Sequence, residues 1–227
     1  IEGGTSEVML GIVAKRILGD YAKEFAHIDV GGAARFIGTQ AAAHTLYRTG
    51  LANAGLDTSN AIKQAAEFGI APGQRLAGLI LNITNMPALG LKATQGVYIV
   101  TPYYWDLNDG TRAWSRRFAE RHKGRMPTMV QAGTYSAVLS YLKAIEAANS
   151  DDAAAVSKQL KSMTINDAFA RNATVAPNGR LMNDVFLMQV KTPEESKGEW
   201  DYYNLIATIP GEEAYMKAED SGCALVK

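Results

Sequence analysis

Apolar and polar positions along the chain predict alternating strands and helices. Residues 75–83 (RLAGLILNI) form a nearly continuous apolar run, and residues 96–101 are mostly β-branched and aromatic. Such runs are typical of strands buried on both faces of a parallel sheet. A helix that ends at Phe68 precedes them, after a loop that contains Asn53 and Gly55. The alternation predicts an α/β fold with right-handed β–α–β crossovers.

Capping residues and helical spacing locate the helices more closely. The helix that ends at Phe68 has Asp57 or Thr58 as its capping residue. Its predicted apolar face is Ile62, Ala65 and Ala66, with Phe68 as a further candidate. Helices are also predicted over residues 109–123 and 151–163.

The helix predicted over residues 128–148 has an apolar face at helical spacing. The residues on this face are Tyr135, Val138, Leu142 and Ile145. The spacing predicts a core helix that Tyr135 anchors and that is more buried than the preceding one.

The C-terminal part of the sequence is predicted to be rich in strands. A hairpin joins residues 172–175 to residues 182–190 through Pro177, Asn178 and Gly179. Asn-Gly is a strong hairpin signal. Residues 191–198 are predicted to form a charged loop, residues 200–209 a last strand, and residues 212–227 a surface segment.

The first fifty residues differ in character from the rest. Residues 8–19 (VMLGIVAKRILG) follow a GGTSE turn and predict a short amphipathic helix. A second helix is predicted over residues 33–48, between two glycine-containing turns.

Composition narrows the classes of function. The 227-residue chain is 47% hydrophobic and 20% charged, which is ordinary for a soluble globular protein. Its 23 basic and 23 acidic residues give a net charge of zero, which argues against a nucleic-acid partner held by a basic face. The sequence holds no apolar run long enough to span a membrane. It starts without a signal peptide, which we expect was either removed by processing or never present.

Catalytic and metal-binding patterns are not found in the sequence. Cys223 is the only cysteine, so no internal disulfide is possible. His27, His44 and His122 are far apart and match no metal motif. No nucleophile elbow, P-loop or dinucleotide-binding fingerprint follows a strand. We therefore predict no catalytic residues, no metal and no cofactor.

Aromatic residues follow the strand at residues 96–101 directly. Pro102 ends regular pairing, and Tyr103, Tyr104, Trp105 and Asp106 come next. Large rings with polar edges, just past the carboxyl end of a strand, suit the mouth of a ligand cleft. The alternative is that the rings cap the edge of a core, and the pattern alone leaves both open.

Three long segments resemble one family of transport proteins. They are LANAGLDTSNAIKQAAEFGI at residues 51–70, GVYIVTPYYWDLNDGTRAWSRRFAERHKGRMPTMVQAGTYSAVLSYLKA at residues 96–144, and VKTPEESKGEWDYYNLIATIPG at residues 190–211, with SGCALVK at the end. From Leu51 to Lys227 the chain resembles the periplasmic substrate-binding proteins of branched-chain amino acid ABC transporters, of the type I, Leu/Ile/Val-binding-protein-like class.

This resemblance implies a fold and a division of the chain. Members of the family have two α/β lobes that close on an amino acid or a related small carboxylate. Residues 51–101 are then expected in the second lobe, residues 102–163 as helices of the first, and residues 164–227 as return strands and tail. The fold class expected is α/β, with β–α–β parallel sheet units, a C-terminal β-hairpin, a helical N-terminal segment at residues 1–50 and an incomplete first lobe.

The resemblance also implies ligand-binding positions. These are Asn53, Ala54, Thr84, Asn85, Tyr103 and Tyr135. Tyr135 falls where the family has a pocket aromatic, and the other positions fall in loops that face the ligand or at the passage between lobes. The family's amino-acid binders carry an acidic residue near the second-lobe loop at Thr84 and Asn85, but this neighbourhood holds no Asp or Glu here.

The resemblance implies non-catalytic solute capture in the periplasm. The ligand would be a branched-chain amino acid or related small carboxylate, held in a cleft between the lobes, and the partner an ABC transporter membrane permease. About a hundred residues of the family's first lobe have no counterpart, so the alternative is an inactive truncated or chimeric fragment.

A weaker alternative concerns only the N-terminal residues. Residues 1–20, with their GGTSE turn, resemble the C-terminal helix of acyl-CoA dehydrogenases. Gly3 stands where that family's glutamate falls when it lies in this turn. This alternative, a flavoprotein remnant, predicts yellow protein with FAD absorbance.

Overall fold

Parallel strand pairing organises the first part of the fold, as a computed structural model of the chain shows. The structure describes residues 48–70, 75–217 and 219–221. The helix predicted over residues 8–19 and Cys223 lie outside these residues. Of the helix predicted over residues 33–48, only residue 48 is among them. The described elements, in chain order, are β1 (Arg48–Ala54), α1 (Gly55–Glu67), β2 (Arg75–Ile80), α2 (Asn85–Leu89), α3 (Leu91–Thr94), β3 (Tyr98–Thr101), α4 (Asp109–Arg121), α5 (Met129–Ala148), α6 (Ala153–Ser162), β4 (Thr174–Val175), β5 (Leu181–Met182), β6 (Val185–Val190), β7 (Tyr203–Ile209), α7 (Gly211–Ala214) and a final 3-10 turn (Glu219–Ser221).

A five-stranded sheet has the order β1-β2-β3-β6-β7. β1 pairs with β2 and β2 with β3, both in parallel, and the register sets Ala77 opposite Gly50 on one side and Tyr98 on the other. Beyond β3 the sheet continues through Val190, whose amide donates to the carbonyl of Val97 over 2.9 Å. The predicted α/β class with parallel β–α–β units is therefore confirmed.

The chain divides into two compact units. The first contains the described residues up to Val100 together with Phe186–Ala207. The second contains Thr101–Val185 and the described residues from Thr208 onward. The assignment of segments to the two lobes of the family fold stays a prediction.

The edges of the first elements differ from those predicted. β1 runs to Ala54 and α1 starts at Gly55, so no loop separates them. Ile62 and Ala65 are buried as predicted, but Ala66 and Phe68 are exposed. Placing Ala66 and Phe68 on the apolar face was therefore wrong. Ile62 and Ala65 lie three residues apart on one face, and only that face meets the core.

Reciprocal caps begin the two long helices of the second unit. At α4, the Thr111 amide donates to Asn108 Oδ1 and the Asn108 amide donates to Thr111 Oγ1, both over 3.0 Å. At α5, the Thr128 amide donates to Gln131 Oε1 over 2.8 Å. Such capping boxes satisfy amides that a helix leaves unpaired. The helix predicted over residues 109–123 thus begins at Asp109 as predicted, with Asn108 as its cap.

The orientation of α5 differs from its prediction. Its buried residues are small or hydroxylated and lie four residues apart: Ala132, Ser136, Ser140 and Ala144. Val138 and Leu142, predicted to face inward, are exposed. Small side chains let a helix approach its neighbours closely. The small residues, and not the large apolar residues at helical spacing, therefore form most of the buried face of α5.

Strands β5 and β6 replace the single strand predicted over residues 182–190. The predicted hairpin turn is present, with Gly179 at φ 84° and the Ala176 amide donating to Arg180 O over 2.8 Å. The strand is interrupted at Asn183, where Gly211 approaches the backbone closely. β7 starts only at Tyr203, because Trp200 adopts φ 71°, outside the strand region.

Two glycine-to-alanine substitutions, at Gly211 and at Gly133, test the close approach of the backbone at Gly211. A Cβ there would lie 2.9 Å from the carbonyl oxygen of Asn183, whereas a Cβ at Gly133 in α5 would meet the Phe169 ring at an ordinary 3.5 Å. We expect Gly211→Ala to lower the free energy of unfolding by about 1–3 kcal/mol through overpacking. Gly133→Ala should raise it by about 0.5–1 kcal/mol, since alanine favours a helix interior. Urea unfolding measures both, and equal effects would contradict the packing described.

The loop between β6 and β7 is built around Asp201. Its carboxylate forms an ion pair with Lys191 and accepts the Lys197 amide over 2.8 Å. The side chains of Lys191 and Asp201 are only 12% and 16% exposed. Burial acts to raise the pKa of Asp201, but the hydrogen bonds from Lys191 and from the Lys197 amide outweigh it, so the pKa lies below its usual value.

Removing this carboxylate should destabilise the first unit. Asp201→Asn leaves Lys191 without its counter-charge, and we expect a loss of about 1–3 kcal/mol at neutral pH. Because the folded-state pKa is lowered, the carboxylate's contribution is present above the ordinary pKa of about 4 and is lost as pH falls through the folded value. Urea unfolding at pH 7 and pH 3 measures this difference. Glu194→Gln, an exposed change in the same loop, is the control; an equal effect of both variants would refute the prediction.

Candidate functional site

Four predicted ligand-binding residues of the first unit lie at the ends of two neighbouring strands or shortly after them. Asn53 and Ala54 are the last residues of β1, and Thr84 and Asn85 come shortly after β2. Ala54 is in register with Ile80 at the end of β2. The carboxyl ends of parallel strands meet at one edge of the sheet, which is where open α/β folds bind ligands. The structure therefore brings these residues to one edge, and their contact with a ligand stays a prediction.

Asn85 holds the loop after β2 in place. Its side-chain Oδ1 accepts a hydrogen bond from the backbone N–H of Asn82 over 3.0 Å. The backbone N–H of Asn85 donates to the backbone carbonyl of Asn82 over 2.9 Å. Its Nδ2 donates to Ser59 Oγ of α1 over 3.4 Å, close to the limit for a hydrogen bond. Asn85 thus connects the ends of two elements at the sheet edge, while Thr84 is exposed beside it.

Asn82 is a polar residue at this edge that the sequence prediction missed. Its Oδ1 is buried, and within the described part of the chain no group donates a hydrogen bond to it. A buried acceptor without a donor costs free energy, so a donor from a ligand or a water molecule would stabilise this edge. The strand predicted over residues 75–83 included Asn82, which hid the signal of an asparagine just past a strand end.

Tyr103, a predicted ligand-binding residue of the second unit, lies inside a core cluster. It is 3% exposed, and its hydroxyl lies 2.6 Å from Ser115 Oγ. The Trp114 ring meets it edge-on with centroids 5.8 Å apart, and Phe169 stacks on it at 6.3 Å. This burial favours the interpretation that the ring caps a core. Burial raises the pKa of Tyr103 to about 12 against the opposing hydrogen bond with Ser115.

Tyr135 is the member of this aromatic group that reaches the surface. It is 38% exposed, and its ring centroid lies 5.0 Å from that of Trp114. Behind Trp114 the rings continue to Phe118 at 5.6 Å and from there to His122 at 5.0 Å. Tyr135 is therefore an exposed ring that packs against other aromatic rings, a geometry suited to contact with an apolar or aromatic ligand.

Arg112 in the second unit pairs with two carboxylates. Arg112 donates to Asp106 over 2.8 Å and to Asp109 over 2.7 Å. The hydrogen bond from Arg112 lowers the pKa of Asp109. In the described ranges, no group of three or more His, Cys, Asp or Glu residues could hold a metal ion.

Removing the Tyr103 hydroxyl tests the buried cluster. Tyr103→Phe deprives the buried Ser115 hydroxyl of this partner, and we expect a loss of about 1–3 kcal/mol at pH 7. In the wild-type protein, Tyr103 ionises near pH 10 when unfolded but near 12 when folded, so its contribution to stability falls as pH rises above 10. Tyr103→Phe should show a smaller decline in stability between pH 9 and pH 11 by urea unfolding. The exposed Tyr141→Phe is the control, and an unchanged slope in Tyr103→Phe would refute the assignment.

Comparisons with known proteins identify the family. A family model described as periplasmic binding protein matches residues 33–199. The crystal structure of a periplasmic binding protein from Burkholderia mallei is 34% identical, with a TM-score of 0.82 over 98% of this chain and 66% of its own. A branched-chain amino acid ABC transporter periplasmic ligand-binding protein from Burkholderia xenovorans is 32% identical, with a TM-score of 0.80 over 99% of this chain and 68% of its own.

A more distant structure shows the same fold. It is a leucine-, isoleucine-, valine-, threonine- and alanine-binding protein from Brucella ovis, 14% identical, with a TM-score of 0.73 over 96% of this chain and 66% of its own. A comparison with curated protein sequences gave no match.

The chain spans about two thirds of the length of the structures that it matches. Within the described residues, no helix has the length and apolarity that a membrane span requires.

The family model covers well over half of the sequence, and two solved structures exceed 30% identity over nearly all of it. The chain belongs to the periplasmic binding protein family.

Proposed function

We propose that the chain is part of a solute-binding protein that captures a branched-chain amino acid or a related small carboxylate in the periplasm and delivers it to an ABC transporter permease. The observation that carries this proposal is the likeness, over nearly the whole chain, to two periplasmic ligand-binding proteins of Burkholderia. Binding without catalysis agrees with the residue types of the predicted ligand positions Asn53, Thr84 and Asn85, which carry amides and a hydroxyl.

The chemistry of the sheet edge supports a polar ligand group there. Asn85 and Ser59 are linked at the edge, and Asn82 brings a buried acceptor that lacks a donor in the described chain. A ligand hydroxyl or ammonium would supply that donor. Separately, Tyr135 in the second unit is an exposed ring that suits contact with an apolar or aromatic group.

Amino acids and simple carboxylates differ in whether they carry an α-ammonium group. An α-ammonium group is usually bound with a carboxylate partner, because a desolvated charge without a counter-charge is costly. Residues 80–95, which include the loop after β2, hold no Asp or Glu. Leucine and its α-keto analogue, 4-methyl-2-oxopentanoate, differ at this group alone and so distinguish an amino-acid binder from a carboxylate binder.

Isothermal titration calorimetry tests binding. We expect heat on adding leucine, 4-methyl-2-oxopentanoate or an aromatic carboxylate such as benzoate to folded protein. Absence of heat from every branched-chain and aromatic carboxylate, in a sample with a cooperative unfolding transition, would overturn solute binding by this chain.

Matched pairs of variants test the residues. Asn53→Ala and Tyr135→Ala should each weaken binding by about 10-fold or more, as expected when a hydrogen bond to a charged group or a ring contact is lost. Asn60→Ala on the exposed side of α1 and Tyr141→Ala on α5 should leave the affinity unchanged. Equal losses in a variant and its control would show that the predicted residue is not a ligand contact.

A further inference from the structure

The loop at residues 166–170 is folded around the carboxylate of Asp167. Its Oδ1 accepts the backbone N–H of Phe169 over 2.7 Å and that of Ala170 over 2.9 Å. The backbone N–H of Asp167 donates to the carbonyl of Ala170 over 2.9 Å. Hydrogen bonds to a carboxylate are stronger than those to a neutral acceptor. The carboxylate therefore fixes the conformation of the loop that carries Phe169.

The same loop contacts helix α5 at two residues. Asp167 Oδ2 accepts the hydroxyl of Ser136, which is 2% exposed, over 2.6 Å. The ring of Phe169 lies beside Gly133, where an added Cβ would come within 3.5 Å of it. Gly133 is two residues before Tyr135 and Ser136 is the residue after it. The loop therefore holds α5 on either side of Tyr135 along the helix.

Phe169 also belongs to the aromatic group that supports Tyr135. Its ring stacks on that of Tyr103 with centroids 6.3 Å apart. Tyr103 meets Trp114 edge-on, and Trp114 packs on Tyr135 with centroids 5.0 Å apart. A side chain keeps one orientation when packing and hydrogen bonds around it lock its neighbours. Tyr135 is therefore supported by two routes that both start at Asp167, one through α5 and one through the rings.

We propose that Asp167 is a positioning residue for Tyr135, the exposed ring that is proposed above as a ligand contact. The carboxylate holds Ser136 and Phe169, and these two residues set the place and the angle of the Tyr135 ring. A ring that is already in place loses less conformational freedom when a ligand binds, so the affinity is higher. This inference rests on the proposed function for the role of Tyr135, and it adds the residue that prepares that ring.

NMR spectroscopy of the ligand-free chain with isotope-labelled tyrosine tests the positioning directly. The ring signals of Tyr135 are those absent in Tyr135→Ala, and their chemical shifts depend on the neighbouring Trp114 ring. We expect Asp167→Ala to move these signals. Asp167→Asn, which keeps the shape of the side chain and an oxygen acceptor for the loop amides, should leave them close to their wild-type positions. Asp151→Ala, an exposed change in the same unit, is the control and should not move them.

Unchanged Tyr135 signals in Asp167→Ala would overturn the proposal. If Asp167→Ala does not fold, Ser136→Ala takes its place, because it removes the link from the carboxylate to α5 and leaves the hydrogen bonds within the loop intact. The Tyr135 signals should then move in Ser136→Ala, and unchanged signals in that variant would equally refute the positioning role.

Calorimetry shows whether the position of the ring matters for binding. With benzoate or 4-methyl-2-oxopentanoate, whichever gives heat, Asp167→Ala should weaken binding by about 10-fold in the wild-type background. In the Tyr135→Ala background it should weaken binding by less than about 2-fold, because a positioning residue acts through the ring. Asp167→Asn should restore most of the affinity.

The two measurements separate this inference from the proposed function. Equal losses of affinity from Asp167→Ala in both backgrounds would show a general structural role and would overturn the proposal. Absence of heat in the wild-type chain, together with Tyr135 signals that depend on Asp167, would refute the proposed function and still support the link between the two residues.

Discussion

Parallel pairing of β1, β2 and β3 is the constraint on which the rest of the first unit depends. Because the three strands run in one direction, their carboxyl ends meet at one edge. The chain leaves that edge through α1 after β1 and through the short helix α2 after β2. Asn53, Asn82 and Asn85 lie at or just after these strand ends. A slip in strand register would move all three, so the fold and the candidate site share one determinant.

The sequence predicted the elements that have local signals. The start of α4 at Asp109, the start of α5 next to Thr128 and the hairpin turn with Gly179 were predicted, because the hydrogen bonds that fix each of them join residues only a few positions apart. The apolar run after residue 75 predicted β2, and the family resemblance placed four candidate ligand residues that the strands bring to one edge. These features do not depend on distant parts of the chain.

The prediction from sequence missed features that depend on tertiary packing. The buried face of α5 consists of Ala132, Ser136, Ser140 and Ala144, and small or hydroxylated residues give no apolar signal. Gly211 interrupts the strand before β6 only because the chain returns to Asn183 nearly thirty residues later. The sequence left Tyr103 open between a cleft mouth and a core cap, and its contact with Phe169, far along the sequence, has no local signal. Such contacts cannot be read from spacing.

The central claim is that the edge formed by the ends of β1 and β2 faces a bound solute. Hydrogen–deuterium exchange with saturating leucine or 4-methyl-2-oxopentanoate, whichever gives heat, tests it most directly. If the solute binds at this edge, exchange slows at residues 55–59 and 82–86 and does not change in β7 (Tyr203–Ile209). Slower exchange confined to β7, or unchanged exchange at both strand ends despite measured binding, would contradict it.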